Sequence, residues 1–164
     1  MNHIEFVTAF GGMYEHSSWV AERAHAHVEQ PLSLDSVSRA MREEVDSATD
    51  DEKLALLRAH PDLAGRAALA GELTAASTAE QAGSGLDALS QDEYEQFSTQ
   101  NRAYTEKFGF PFIMAVKGAT KYQILAGFSE RLPNSAETEF ATAVEQVHRI
   151  AGFRLTDWFE EHGA

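Results

Sequence analysis

Two short stretches concentrate side chains able to do chemistry. The first is His60-Pro61-Asp62 and the second is Ser77-Thr78-Ala79-Glu80-Gln81. An imidazole whose ordinary pKa lies near neutrality can give or take a proton, and a carboxylate, an amide and a hydroxyl can hold a polar substrate around it. Proline fixes its own φ, favours the first position of a helix and drives the preceding residue out of helical geometry. That places His60 at a helix N-cap, held by a stiff backbone, where it is either a cap or a catalyst. Ser77-x-x-Glu80 also has two readings. It matches the capping box, in which serine and glutamate satisfy each other's backbone N–H groups, and it matches a substrate-binding pair.

The stretch 108–116, FGFPFIMAV, is short, apolar and aromatic, and it contains Gly109 and Pro111. Its composition suggests a strand, yet no second strand is at hand to pair with it. Its backbone groups then need other partners, supplied by a bound polar ligand or by the packing of a buried connection between helices. Arg154 lies between apolar Phe153 and Leu155, either as a surface arginine that buries its stem or as an anion clamp. The remaining histidines, His3, His16, His25, His27, His148 and His162, read as surface residues.

The elements that must position these groups are helical almost throughout. Apolar residues recur at helical spacing at Ile4, Phe6, Val7 and Phe10, and again at Leu34, Val37, Met41 and Val45 behind Ser33 or Asp35 as cap. A helix beginning at Trp19 is expected to end before Pro31. Leu54, Leu56 and Leu57 lead into His60. Tyr94, Phe97, Asn101 and Tyr104 support a helix between Gln91 and Phe108. The longest helix is predicted from about Ser135 to Glu160, with Phe140, Val144, Val147, Ala151, Leu155 and Trp158 or Phe159 on one stripe. The reading is an all-α fold in one domain, 1–164, with one extended apolar segment near 108–116.

Composition narrows the function. The 164 residues include no cysteine, which excludes disulfides, thiolate catalysis and thiolate-bound zinc, and fits a reducing compartment. A net charge of −13 argues against nucleic acid or an anionic membrane as partner. No stretch resembles a secretory signal or a membrane span. Cytoplasmic residence is the expectation, and the C-terminus Glu160-Glu161-His162-Gly163-Ala164 carries no peroxisomal address of the Ser-Lys-Leu type.

Taken in order, His60-Pro61-Asp62-Leu63, Ser77-x-x-Glu80-Gln81, Gly85-Leu86 and Lys107-Phe108-Gly109-Phe110-Pro111-Phe112-Ile113 resemble the decarboxylase of urate degradation. Gly118, Ile124-Leu125, Arg131-x-x-Asn134 and Arg154-Leu155 continue the match along essentially the whole chain. Ser84 and Met114-Ala115 depart from the more usual alanine and isoleucine-cysteine. That family acts on 2-oxo-4-hydroxy-4-carboxy-5-ureidoimidazoline (OHCU) and forms (S)-allantoin. The resemblance implies an all-α fold, a homodimer, no cofactor and no metal. It also implies His60 and Glu80 as catalytic residues, with His60 protonating the intermediate. Substrate contacts would come from Pro61, Ser77, Thr78, Ala79, Glu80 and Gln81, from Phe112, Ile113, Met114, Ala115 and Val116, and from Arg154. Association with hydroxyisourate hydrolase, which makes the substrate, is a partnership that the sequence leaves open.

Two other functions share features with the chain. His-Pro-Asp after a leucine-rich helix resembles the J-domain cochaperones, but those need a strongly basic preceding helix, and here that segment opens Asp50-Asp51-Glu52. A catalytically inactive family member serving as a binding scaffold is the other, and only an assay separates it from the enzyme.

Overall fold

The helices begin where a side chain can accept the first unsatisfied N–H groups of a turn. In the computed structural model, which describes every residue except 66, 67, 69 and 164, five of them start with a reciprocal capping box. These are α1 (His3–Phe10) behind Asn2, α3 (Leu34–Asp46) behind Ser33, α4 (Asp50–Arg58) behind Thr49, α6 (Gln91–Phe108) behind Ser90 and α7 (Lys121–Arg131) behind Thr120. In each the cap side chain accepts the third N–H while that residue's side chain accepts the N–H of the cap. The others are α2 (Trp19–Ala24), α5 (Ala75–Gly83) and α8 (Ala136–Glu161). Among the described residues the fold is all-α, with no strand and no helix long and apolar enough to cross a membrane.

Several sequence expectations are corrected. His60 is not an N-cap: it follows Ala59, the C-cap of α4, and Pro61 comes where a proline terminates a helix as readily as it starts one. Ser77 is not a cap either, because Thr74, three residues earlier, caps α5 by accepting from the Ser77 N–H at 3.2 Å. The helix beginning at Trp19 stops at Ala24, well short of Pro31. Helix α7 is an element that the sequence pattern does not announce, since its buried residues are only Ile124, Gly127 and Phe128 and make a thin apolar stripe. By contrast α8 runs within one residue of its predicted bounds, and Gly109 ends α6 in the left-handed conformation at φ 79° that glycine adopts without steric cost.

The chain divides into two compact units, residues 1–59 with 147–164, and residues 60–146. In the first, Phe6, Phe10, Val20, Val37, Met41, Leu56, Leu57 and Leu155 are buried, with the Phe10 ring edge-on to Trp158 at 4.7 Å. Two polar clusters lie within it. His148 is buried, against its expectation as a surface residue, with Nδ1 2.8 Å from Tyr14 Oη and Nε2 2.9 Å from Asp46 Oδ1. Arg154 donates from Nη2 to the buried Glu15 carboxylate at 2.8 Å and from Nη1 to the Gly12 carbonyl at 3.1 Å.

The second unit is built on aromatic packing. Phe112 stacks on Phe128 with ring centroids 3.9 Å apart and meets Tyr104 edge-on at 5.2 Å. Beside them Glu139, fully buried, accepts from Tyr104 Oη at 2.6 Å, Arg131 Nε at 2.7 Å and Asn134 Nδ2 at 3.0 Å. Burial and this carboxylate push the Tyr104 phenol well above its ordinary range. Arg131 goes on to donate from Nη1 to the Ile113 carbonyl and places its guanidinium over the Phe112 ring, 4.4 Å from the centroid. A buried ion pair adds little by itself, but removing one partner leaves an uncompensated charge. Glu139→Leu is therefore expected to lower unfolding stability by about 3–5 kcal/mol. Urea denaturation checks this, and a loss below about 1 kcal/mol would assign the network no structural weight.

Candidate active site

The two chemistry-bearing stretches are tied together by one side chain. Gln81, buried on α5, accepts from the Ala64 N–H through Oε1 at 2.9 Å and donates through Nε2 to the Asp62 carbonyl at 3.3 Å. Both ends of the amide are thus spent on the turn that follows His60. That turn needs holding, because Ala64 sits at φ 53°, a left-handed conformation that costs a non-glycine residue about 1–3 kcal/mol. Helix α6 holds the same turn from another side: Asn101 Nδ2 donates to the Leu63 carbonyl at 2.8 Å. Gly65 closes it, since a Cβ there would lie 2.6 Å from Asp62 Cβ.

His60 itself is buried, 8% exposed, with Nε2 shielded from solvent, and Pro61 is half-buried. On α5 Ser77 and Gln81 are buried and Glu80 is half-buried, and Ser84, its C-cap, is buried as well. Positions 77, 80, 81 and 84 are spaced three and four apart, which puts them on one helix face. A polar face turned inward is unusual for a nine-residue helix and marks it as more than scaffolding. Because Thr74 and Ser77 make the cap contact, the Glu80 carboxylate is not needed to cap α5. Thr78 and Ala79 are exposed on the other side, and the Thr78 hydroxyl donates back to the Thr74 carbonyl at 2.9 Å.

The third stretch also joins α5. Ser84 Oγ donates to the Val116 carbonyl at 2.8 Å, so the residue that departs from the family's usual alanine fastens the helix to the extended segment. Within that segment the Ile113 carbonyl is taken by Arg131 and the Ala115 N–H by Gln146 Oε1 at 2.9 Å. The extended backbone is therefore neither a strand nor an open ladder: side chains from α5, α7 and α8 satisfy three of its groups. Phe112, Ile113, Ala115 and Val116 are buried and Met114 half-buried. A separate open cleft of about 680 Å³, lined by Asp92, Glu95, Thr99 and Ser129 among others, includes none of the expected catalytic or substrate-contacting residues. Among the described residues no group of three or more histidine, aspartate and glutamate side chains is arranged to hold a metal ion.

The whole pattern has a match. The family model for OHCU decarboxylase covers residues 1–156. The chain belongs to the OHCU decarboxylase family. Among curated relatives, a 2-oxo-4-hydroxy-4-carboxy-5-ureidoimidazoline decarboxylase of Haloferax volcanii is 48% identical over 155 residues, covering 94% of this chain and 89% of that protein. A uric acid degradation bifunctional protein of a Bacillus species (strain TB-90) is 41% identical over 98% of this chain, which spans 31% of its length. A crystal structure of (S)-allantoin synthase superposes with a TM-score of 0.74 at 35% identity, covering 96% of this chain and 51% of that one.

The residues that sequence reading missed are those that hold the site. Asn101 lies on the apolar stripe with Phe97 and Tyr104, a polar residue at a core position, and that mismatch is the signal that could have found it. Asp62 offers a test of the turn. Burial raises its carboxyl above the ordinary 3.8, so the folded chain binds the proton more tightly than the unfolded chain. The stability this gives is present below the ordinary value and is lost as pH rises through the raised one. Asp62→Asn removes the charge at constant shape. It should melt higher than wild type at pH 7 and show no advantage at pH 3. Calorimetry at both pH values checks the sign, and equal melting at pH 7 would contradict it.

Proposed function

We propose that this chain decarboxylates OHCU to (S)-allantoin in urate degradation, with no cofactor, and that His60 supplies the proton. The observation that carries the reading is a buried imidazole on a turn held by α5, the helix whose inward face presents Ser77, Glu80 and Gln81. In the substrate the carboxylate sits on a carbon that also bears a hydroxyl and neighbours a C=N group. When the carbon–carboxylate bond breaks, CO₂ leaves and its electron pair flows into that unsaturated system. Protonation of the ureido-bearing carbon on one face then sets the (S) configuration. The protein has to orient the leaving carboxylate, hold the developing charge and deliver one proton.

His60 is the acid, and its burial keeps water from delivering the proton to the other face. Glu80 holds the substrate hydroxyl or the imidazole. Ser77 contributes a hydroxyl to the ring and ureido groups, Pro61 packs against the ring, and Gln81 adds to the hold on the turn. Segment 112–116 is anchored at Ile113, Ala115 and Val116, so Met114, between the anchors, carries the backbone groups best placed to meet an amide-like edge. The assignment of substrate negative charge to Arg154 rests on the family resemblance, and Glu15 beside it would have to share that guanidinium with the ligand. Assembly as a homodimer, association with hydroxyisourate hydrolase and cytoplasmic residence belong to the same proposal. So does a single catalytic domain over 1–164, which the family match over 1–156 supports.

A circular-dichroism time course starting from urate, urate oxidase and hydroxyisourate hydrolase tests the activity. Added protein should accelerate the appearance of optically active (S)-allantoin; unchanged, racemic decay would instead leave an inactive scaffold. His60→Asn is expected to fold and to lose about 10²–10⁴-fold in turnover. Near-normal turnover by the folded variant would remove His60 from the mechanism. Glu80→Gln is expected to keep the melting temperature, since the cap of α5 lies elsewhere, and to lose at least about tenfold in kcat. Wild-type kcat in that variant would return Glu80 to a structural role.

A further inference from the structure

Asn101 occupies a position where an apolar residue would serve the fold better. It is 5% exposed on the buried stripe of α6, between Phe97 and Tyr104. Its Nδ2 is used on the Leu63 carbonyl, but its buried Oδ1 has no hydrogen-bond partner among the described residues. A buried amide with one end unsatisfied costs stability that an apolar side chain would not. The residue's value therefore lies in what Nδ2 grips. Leu63 is the middle of three consecutive residues held by side chains, for Gln81 takes the Asp62 carbonyl before it and the Ala64 N–H after it. Held only from α5, the peptide between Leu63 and the left-handed Ala64 could rotate. Held from α6 as well, it is fixed, and stiff Pro61 passes that constraint on to His60.

We propose that Asn101 is a positioning residue for the proton-donating histidine, acting through the Leu63 carbonyl and without touching substrate. The proposal rests on the reading of His60 as the proton donor. It assigns a role in the reaction to the helix 91–108, which contributes none of the residues expected to contact the ligand.

The test compares Asn101→Leu, which keeps the branched shape at a larger volume and deletes the donor, with Asn101→Ser, which keeps a hydroxyl donor on a shorter arm and guards against a leucine variant that fails to fold. Misplacing a reacting group by about 1 Å costs on the order of 10²-fold, so Asn101→Leu should lower kcat by about 10–100-fold with KM changed less than about twofold, and Asn101→Ser by a smaller factor. The ring resonances of His60, followed by NMR in the absence of substrate, should shift or broaden in both variants. A merely structural residue would lower the melting temperature and leave the kcat of folded protein and the His60 signals unchanged. Wild-type kcat in either folded variant overturns the proposal, as does a fall in kcat with unmoved His60 resonances. Failure of the underlying reading is separate: it would show as full turnover in His60→Asn, whatever the NMR signals of the Asn101 variants do.

Discussion

The site depends on one amide. Gln81 places its oxygen on the Ala64 N–H and its nitrogen on the Asp62 carbonyl, and in doing so joins the turn after α4 to the inward face of α5. The left-handed Ala64 is sustainable only under such constraint, since relaxation to an ordinary conformation would release about 1–3 kcal/mol. From the same helix, Ser84 reaches the Val116 carbonyl and brings in the extended segment. Helix α5 is short and its apolar content modest, so it is held less by a hydrophobic stripe than by the polar contacts its buried face makes.

The extended segment shows how irregular backbone can be kept inside a helical protein. Orphaned carbonyls and N–H groups in an interior cost more than most single contacts return. Here Arg131, Gln146 and Ser84 each supply one partner, and the Arg131 donor is itself neutralised by fully buried Glu139. Phe112 fills the space between, stacked on Phe128 and covered by the Arg131 guanidinium. The rigidity of segment 112–116 thus comes from side-chain partners on three helices, where a sheet would have used a neighbouring strand.

What was legible in the sequence follows from the strength of the local signal. Helices α1, α3, α6 and α8 carry clear apolar periodicity, and of the two candidate caps Ser33 and Asp35 the structure uses Ser33. Thr74 and Ser77 are both competent caps three residues apart, and pattern alone does not choose between them; the structure chooses Thr74. His60-Pro61 is equally compatible with the start and the end of a helix, because proline is tolerated on both sides of a boundary. His148 has neighbours of mixed polarity, so nothing local reveals that Tyr14, 134 residues away, meets its ring. The family's chemistry could be named from spaced motifs, whereas Asn101, Ser84 and Arg131 act through contacts 18 to 38 residues away that no spacing rule encodes.

If the grip on the turn is what presents the imidazole, it must exist before substrate arrives. Native-state amide hydrogen exchange of the free protein measures this directly at Ala64. The account expects the Ala64 N–H to be strongly protected, exchanging only through opening of the 60–146 unit, although it lies in a turn outside any regular helix. Exchange of Ala64 at the rate of an exposed loop amide would contradict it, for the turn would then be loose and the histidine placed by the ligand.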